Sequence, residues 1–331
     1  MLYKLFFIML IPLTTSAQMK EIMRYGVLAP SSHNAQMWRV TQLDNSSFEV
    51  SLEAERLLPE VDPQSREAWI SIGAFVENCV LAADDLGFQA EVLFQNQAVK
   101  VCLHQNTGTE ITNKNRQLIE KRQTIRTPFL SKPIADSIIT ELCSSPQVQY
   151  HSLHSLQGES IQKLSLTAYE QQAYNTAKTE ELGKWMSFSA KEEHEKKLGL
   201  TPPMMGMSRV EHIFFNLFLN KRSVSKKSFA KASVSKAKKQ LEACSGYLLI
   251  TSPQGDWESW FNSGRLLERV WLKGTAYELA VHPMSQVLEE TRYYTLLKSE
   301  LNISSEIQMI LRVGKVKVLP ERKKQRLEAG P

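Results

Sequence analysis

Two short clusters carry the side chains best suited to chemistry in this 331-residue chain. The first, Ala29-Pro-Ser-Ser-His-Asn-Ala-Gln-Met-Trp38, sets hydroxyls and two carboxamides on one loop. A carboxamide offers a donor and an acceptor side by side, so Asn34 and Gln36 suit the alternating N–H and C=O edge of a flavin pyrimidine. The plainer reading is a capped turn with exposed amides. In the second, Arg122-Gln-Thr-Ile-Arg126, the two arginines lie four apart. On a helix they share a face and can hold a phosphate through forked, charge-assisted hydrogen bonds. A solvated helix end is the plainer reading there.

The elements that must position these clusters follow from hydrophobic spacing. Met19, Ile22, Met23, Val27 and Leu28 recur at helical intervals until Pro30 stops them. Alternation over 38–43 and 48–53, across the turn 44–47, predicts a β-hairpin. Asp62-Pro63 opens a long helix with Trp69, Ile72, Phe75, Val76, Cys79, Val80 and Ala83 on its buried face, ending at Gly87, and strands over 89–94 and 99–103 close a first half. A polar seam over 105–115 leads into a second half. It holds a helix at 134–142, a strand near 148–153, an insertion or lid over 171–239, a strand at 247–251, a helix at 262–279, the loop His282-Pro-Met-Ser285, a helix to Leu301 and a strand at 308–313. Both halves mix helices and strands and each opens with a helix followed by a polar loop, which points to an internal duplication in an α+β fold.

In this order the residues resemble the nitroreductase superfamily of FMN enzymes, and more narrowly its long-chain Acg-type branch, in which two nitroreductase-like halves are fused. The resemblance rests on the 29–38 loop, on Asp62-Pro63 with Arg66-Glu67, on Ile70-Ser-Ile-Gly-Ala74 and Asn78, on Arg122-x-Thr-x-Arg126, and on Ile310-Leu-Arg-Val-Gly314 with the basic tail after Pro320. Met37 stands where the family usually has proline, and Arg322-Lys-Lys324 where the branch usually has paired arginines. The resemblance implies a nitroreductase-like α+β fold with two halves forming an internal pseudo-dimer: residues 18–112, then 113–331 carrying the lid.

It further implies one FMN held by Ser31, Ser32, Asn34 and Gln36 at the ring, by main chain at Met284 and Ser285, and by Arg122, Thr124, Arg126, Arg322 and Lys324 at the phosphate. The expected activity is an FMN-dependent oxidoreductase moving electrons from NADH or NADPH to a nitroaromatic, quinone or similar small-molecule acceptor. No side chain is assigned as a catalytic proton donor and no metal is expected; His33 and His282 read as structural hydrogen-bonders. The alternatives are an FMN-sequestering protein with little turnover and a basic membrane-surface or partner-binding module. A monomer with an internal pseudo-dimer, or a homodimer, fits the duplication.

Composition bounds these readings. With 42% hydrophobic and 23% charged residues the chain has material for a large core. Cys79, Cys102, Cys143 and Cys244 are far apart and form no zinc or disulfide pattern. A net charge of +5 implies no nucleic-acid partner. The basic residues Lys221, Arg222, Lys226, Lys227, Lys231, Lys236, Lys238 and Lys239 are nevertheless concentrated, with no acid between Glu211 and Glu242, and they follow Phe214, Phe215, Leu217 and Phe218. A solvated lid or a peripheral membrane contact accounts for that order. Residues 1–17 read as a signal peptide, with an apolar run at 5–13 too short to span a bilayer, so export to the periplasm or beyond stands beside a cytoplasmic location.

Overall fold

The structure, a computed structural model, describes residues 16–106, 108, 110–320 and 326–328. Most of the expected signal segment, and the tail residues Arg322 and Lys324, lie outside the described residues. In chain order the first half holds α1 (Ser16–Gly26), β1 (Trp38–Gln42), β2 (Ser47–Leu52), α2 (Arg66–Asp85), β3 (Phe88–Gln95) and β4 (Ala98–Gln105). Next come α3 (Lys114–Lys121), α4 (Asp136–Leu142), β5 (Val148–Ser152), α5 (Leu156–Ala173), α6 (Thr176–Lys184), α7 (Ala190–Lys196), α8 (Arg209–Phe218) and α9 (Lys227–Glu242). The chain closes with β6 (Gly246–Ser252), α10 (Trp257–Ala276), β7 (Ala280–Pro283), α11 (Thr291–Leu301) and β8 (Glu306–Gly314).

The strands form two four-stranded antiparallel sheets, ordered β1-β2-β4-β3 and β5-β6-β8-β7. The two orders are the same topology met twice, so the duplication is present in the fold: a strand pair, a long helix, an edge strand, and a last strand entering between. The halves differ in how that first strand pair is joined. β1 and β2 are linked by residues 43–46, whereas β5 and β6 are separated by residues 153–245, which carry α5 to α9. The expected lid, 171–239, therefore begins inside α5 and ends inside α9, both of which belong to the core of the second half.

Burial explains why the second sheet reads as continuous apolar runs and the first as alternation. Every residue of β6 is buried, because α10 covers one face through Leu267, Val270 and Trp271 while α5, α9 and α11 cover the other through Ile161, Leu164, Ala237, Leu241 and Leu297. In the first sheet Phe48, Val50, Val99 and Val101 pack on Phe75 and Cys79 of α2, while the edge strand β3 alternates buried and accessible positions. Its hairpin to β4 turns through Asn96 and Gln97, with φ 44° and 60°, the left-handed pair that a tight two-residue turn requires.

The halves meet where α2 and α10 cross. A Cβ on Gly73 would lie 1.9 Å from the Phe261 carbonyl oxygen, and one on Gly264 2.0 Å from that of Ile70. Only glycine admits backbones this close. Two buried carboxylates flank the crossing: Glu77 accepts from Arg265 and from the more exposed Arg269, and Glu268 faces the buried Arg122.

A candidate ligand cavity between the halves

Between the halves and the inserted segment lies a cavity of about 990 Å³, with a smaller one of about 350 Å³ beside it. The larger volume is at the upper end of the range in which drug-sized ligands and cofactors bind. Its wall joins the first-half loop Pro30–His33 and Glu67 to Thr124, Arg126 and the 282–286 loop of the second half. α8 and α9 close the far side through Phe214, Phe215, Phe229, Ala230 and Lys236.

The loop is built from strained backbone. His33, Asn34 and Gln36 have φ of 51°, 54° and 52°, a left-handed region that non-glycine residues seldom occupy and that surrounding contacts must enforce. Side-chain hydrogen bonds supply those contacts. Asn34 Nδ2 donates to the Gly199 carbonyl at 3.0 Å and Gln36 Nε2 to that of Lys197 at 2.9 Å. Asn34 Oδ1 accepts from Arg326 at 2.6 Å, and Gln36 Oε1 from the Leu327 amide at 3.0 Å. Asn34 reaches the wall of the smaller cavity; Gln36 lines neither. The carboxamides expected at a ring edge thus clamp the α7–α8 connection and the tail onto the loop.

Ser31 and Ser32 do line the larger cavity, and Ser32 Oγ donates to Glu67. Glu67 also pairs with Arg66 at 3.0 Å at the start of α2. Thr124 and Arg126 lie on both cavities. Arg126 Nη1 donates to the Met204 carbonyl and Lys236 Nζ to that of Met205, each at 2.8 Å, so two cations converge on one lid loop. Burial pushes Arg126 down to about 10, still charged at neutral pH, and lowers Lys236, with Arg126 adding to that effect.

Arg122 is placed differently from Arg126. Its Nε lies 3.0 Å from Glu268 Oε1, its Nη2 donates to the Leu28 carbonyl at 2.6 Å, and its guanidinium sits 4.7 Å over the Trp271 ring. It touches the smaller cavity but its charge is committed to the helix crossing. Arg122 ends α3 in an extended conformation (ψ 131°), so the four-residue spacing does not put the two arginines on one helical face. Met284 and Ser285 line the larger cavity, their positions fixed by Met284 N donating to Ile310 O at 2.9 Å and Ser285 Oγ contacting Met309 Sδ at 2.7 Å.

Spacing did not single out Glu289, an acid of the wall, or Asp62, which lies outside the lining. Glu289, held at 2.8 Å by Gln172 Nε2, is pushed well above the usual carboxylate range by burial and then by the Glu67 charge. Asp62, which accepts from the Ala68 amide at 3.0 Å, is raised to about 6 by burial and then by Glu67. Glu67 was visible in the sequence beside Arg66; Glu289 lies far off in the chain and carried no local signal. His33, enclosed by protein apart from the cavity, is pushed down to about 4 by desolvation, and its buried Nδ1, like Gln286 Oε1, has no hydrogen-bond partner among the described residues. His282 Nδ1 accepts from Arg312 Nε at 3.0 Å, and burial and then Arg312 keep that ring neutral.

No protein-family model matches the chain. Over 73 residues it is 36% identical to two curated Mycobacterium tuberculosis proteins that bear the name NAD(P)H nitroreductase, a match covering 22% of this chain and 21% of those proteins. The chain thus aligns with about a fifth of the length of these relatives. Among solved structures it is similar to the FMN-dependent nitroreductase NfnB from Mycobacterium smegmatis in complex with NADPH, with a TM-score of 0.39 and 11% identity over 62% of this chain and 88% of that one. It is also similar to a nitroreductase with bound FMN from Bacteroides fragilis, with a TM-score of 0.35 and 9% identity over 63% and 92% of the respective chains.

Proposed function

We propose that the chain is an FMN-dependent oxidoreductase of the nitroreductase superfamily, in its long-chain two-half branch, that takes electrons from NADH or NADPH and passes them to a nitroaromatic, quinone or similar acceptor. The observation that carries this reading is the cavity of about 990 Å³ joining the strained Pro30–His33 loop of one half to the cationic pair Arg126 and Lys236 of the other. The named M. tuberculosis relatives support it over the matched stretch.

The residues present fit such a ligand. Arg126 and Lys236 give a phosphate two converging cations, which can exchange their lid carbonyls for a stronger anionic acceptor. The unpartnered polar atoms of His33 and Gln286 match a ligand with polar edges. FMN, when bound, supplies the two-electron redox chemistry, and the protein supplies position, field and dryness. Here Ser31, Ser32 and the Met284–Ser285 main chain orient the ligand, Phe214, Phe215 and Phe229 exclude water, and burial favours the protonated form of the Glu289 carboxyl in the wall.

The absorbance spectrum of the purified protein, followed by acid release and chromatography, tests the reading. FMN is expected. A colourless protein that fails to bind added FMN overturns it. Stopped-flow mixing with NADH and NADPH then separates turnover from sequestration, because a sequestering protein keeps its flavin oxidised.

A further inference from the structure

We infer that α8 is a docking face for an anionic lipid surface. Val210, Ile213, Phe214, Leu217 and Phe218 follow the spacing of one helical stripe, yet they are 77%, 62%, 58%, 70% and 64% exposed. Such a stripe normally faces a core. Here Phe215, 2% exposed, is the residue that α8 turns inward, stacking on Phe188 at 5.3 Å. The outward residues pack on one another instead, with the Phe214 and Phe218 rings 4.6 Å apart. The helix is held rigid by a capping box between Ser208 and Glu211, so the face is presented as a preformed surface.

Charge identifies the occupant. Arg209 starts the helix and the exposed Lys221, Arg222, Lys226, Lys227 and Lys231 follow it, with no acid between Glu211 and Glu242. An apolar helical stripe bracketed by basic residues is the composition that lies in the plane of an anionic bilayer, stripe toward the acyl chains and cations toward the headgroups. A second copy of the chain suits it less. Antiparallel pairing of two such helices sets Arg209 of one against Lys221 and Arg222 of the other.

The face is continuous with the cavity, since Val210 and Phe214 are both exposed and part of its lining. Docking would therefore turn the cavity mouth toward the lipid and admit an apolar molecule dissolved there. That consequence rests on the cavity being the flavin site; docking itself does not.

Vesicle flotation of the full chain tests docking without reading flavin or turnover, so its outcome and that of the flavin reading are separable. The protein should float with phosphatidylglycerol-rich vesicles, stay unbound with phosphatidylcholine alone, and be released by added salt. Leu217→Glu, at a position that is 70% exposed and outside the cavity lining, should lower partitioning about tenfold or more with an unchanged circular dichroism spectrum. Lys221→Glu with Arg222→Glu should weaken binding and flatten its salt dependence. Wild-type protein that stays unbound with anionic vesicles, or a Leu217→Glu variant that floats as well as wild type, overturns the inference. So does a wild-type dimer in light scattering that Leu217→Glu splits, because the face then belongs to a second copy.

Discussion

Gly73 and Gly264 face each other across the α2–α10 crossing, each standing where a side chain would strike a main-chain carbonyl of the opposite helix. The relation is reciprocal: Gly73 lies against Phe261, three residues before Gly264, and Gly264 lies against Ile70, three before Gly73. The two helices thus make equivalent contacts at the crossing. The equivalence extends along both sequences, with Trp69 and Trp260 one turn before the glycines and Glu77 and Glu268 one turn after.

Gly73→Ala and Gly264→Ala separate propensity from packing. In a helix interior, Ala should gain about 1 kcal/mol over Gly, but the approach at 1.9 and 2.0 Å is to backbone, which cannot rotate away. Overpacking of about 2–3 kcal/mol wins, so both variants should unfold at lower urea. Gly255→Ala, whose Cβ would find its nearest neighbour at 3.7 Å, should stay close to wild type. Stabilisation in the Gly73 variant would mean that the helices are not in contact there.

The buried Arg122–Glu268 pair makes a second prediction. Removing one member leaves an uncompensated charge among apolar residues, at a cost of about 3–5 kcal/mol. Arg122→Ala should therefore lower the unfolding midpoint strongly and reduce FMN and riboflavin binding alike, because its guanidinium serves the helix crossing. Selective loss of FMN, with stability intact, would return Arg122 to the phosphate.

The duplicated α+β order and most elements were legible because 3.6- and 2-residue periods report which face is buried. Trp69, Gly73 and Glu77 against Trp260, Gly264 and Glu268 also recorded the duplication, although a spacing of four on unaligned helices is weak until the crossing is seen. The site was less legible. Asn34 and Gln36 have the right groups for a ligand edge, but left-handed backbone at 33, 34 and 36 turns both amides toward 197–199 and 326–327. No local pattern announces such a turn without glycine. The convergence of Arg126 and Lys236 depends on how the insertion folds back, which periodicity does not encode.

His33, which lines the larger cavity, and Asp62, which lies outside the lining, oppose each other in acid. His33 sits near 4 against an ordinary 6.5, so between those values the unfolded chain binds a proton that the folded one refuses. Its contribution to stability is lost as pH falls through that window. Asp62 is raised from 3.8 to about 6, so the folded chain holds the extra proton and gains stability as pH falls. Single variants should separate the two. Relative to wild type, His33→Gln should become progressively more stable between about pH 6.5 and 4, and Asp62→Asn progressively less stable between about pH 6 and 4. Urea unfolding at several pH values reads both, and parallel profiles for all three proteins would contradict the assignment.

Phosphate recognition by Arg126 and Lys236 is distinguished from general positive charge by pairing ligands as well as variants. Each cation is already fixed on a lid carbonyl at 2.8 Å, so a phosphate arriving there meets oriented donors at little entropic cost. A charge-assisted hydrogen bond is worth about 1.5–3 kcal/mol, so Arg126→Ala should weaken FMN about ten- to a hundredfold. Lys236→Ala should act in the same direction, and riboflavin, which lacks the phosphate, should bind nearly as before to both. Lys227→Ala removes an exposed charge outside the cavity lining and should change neither ligand. Fluorescence titration of folded variants decides. Equal loss of FMN and riboflavin in the Arg126 variant would make it a lid anchor alone, and equal FMN loss in the Lys227 variant would assign the affinity to the diffuse field of the basic segment.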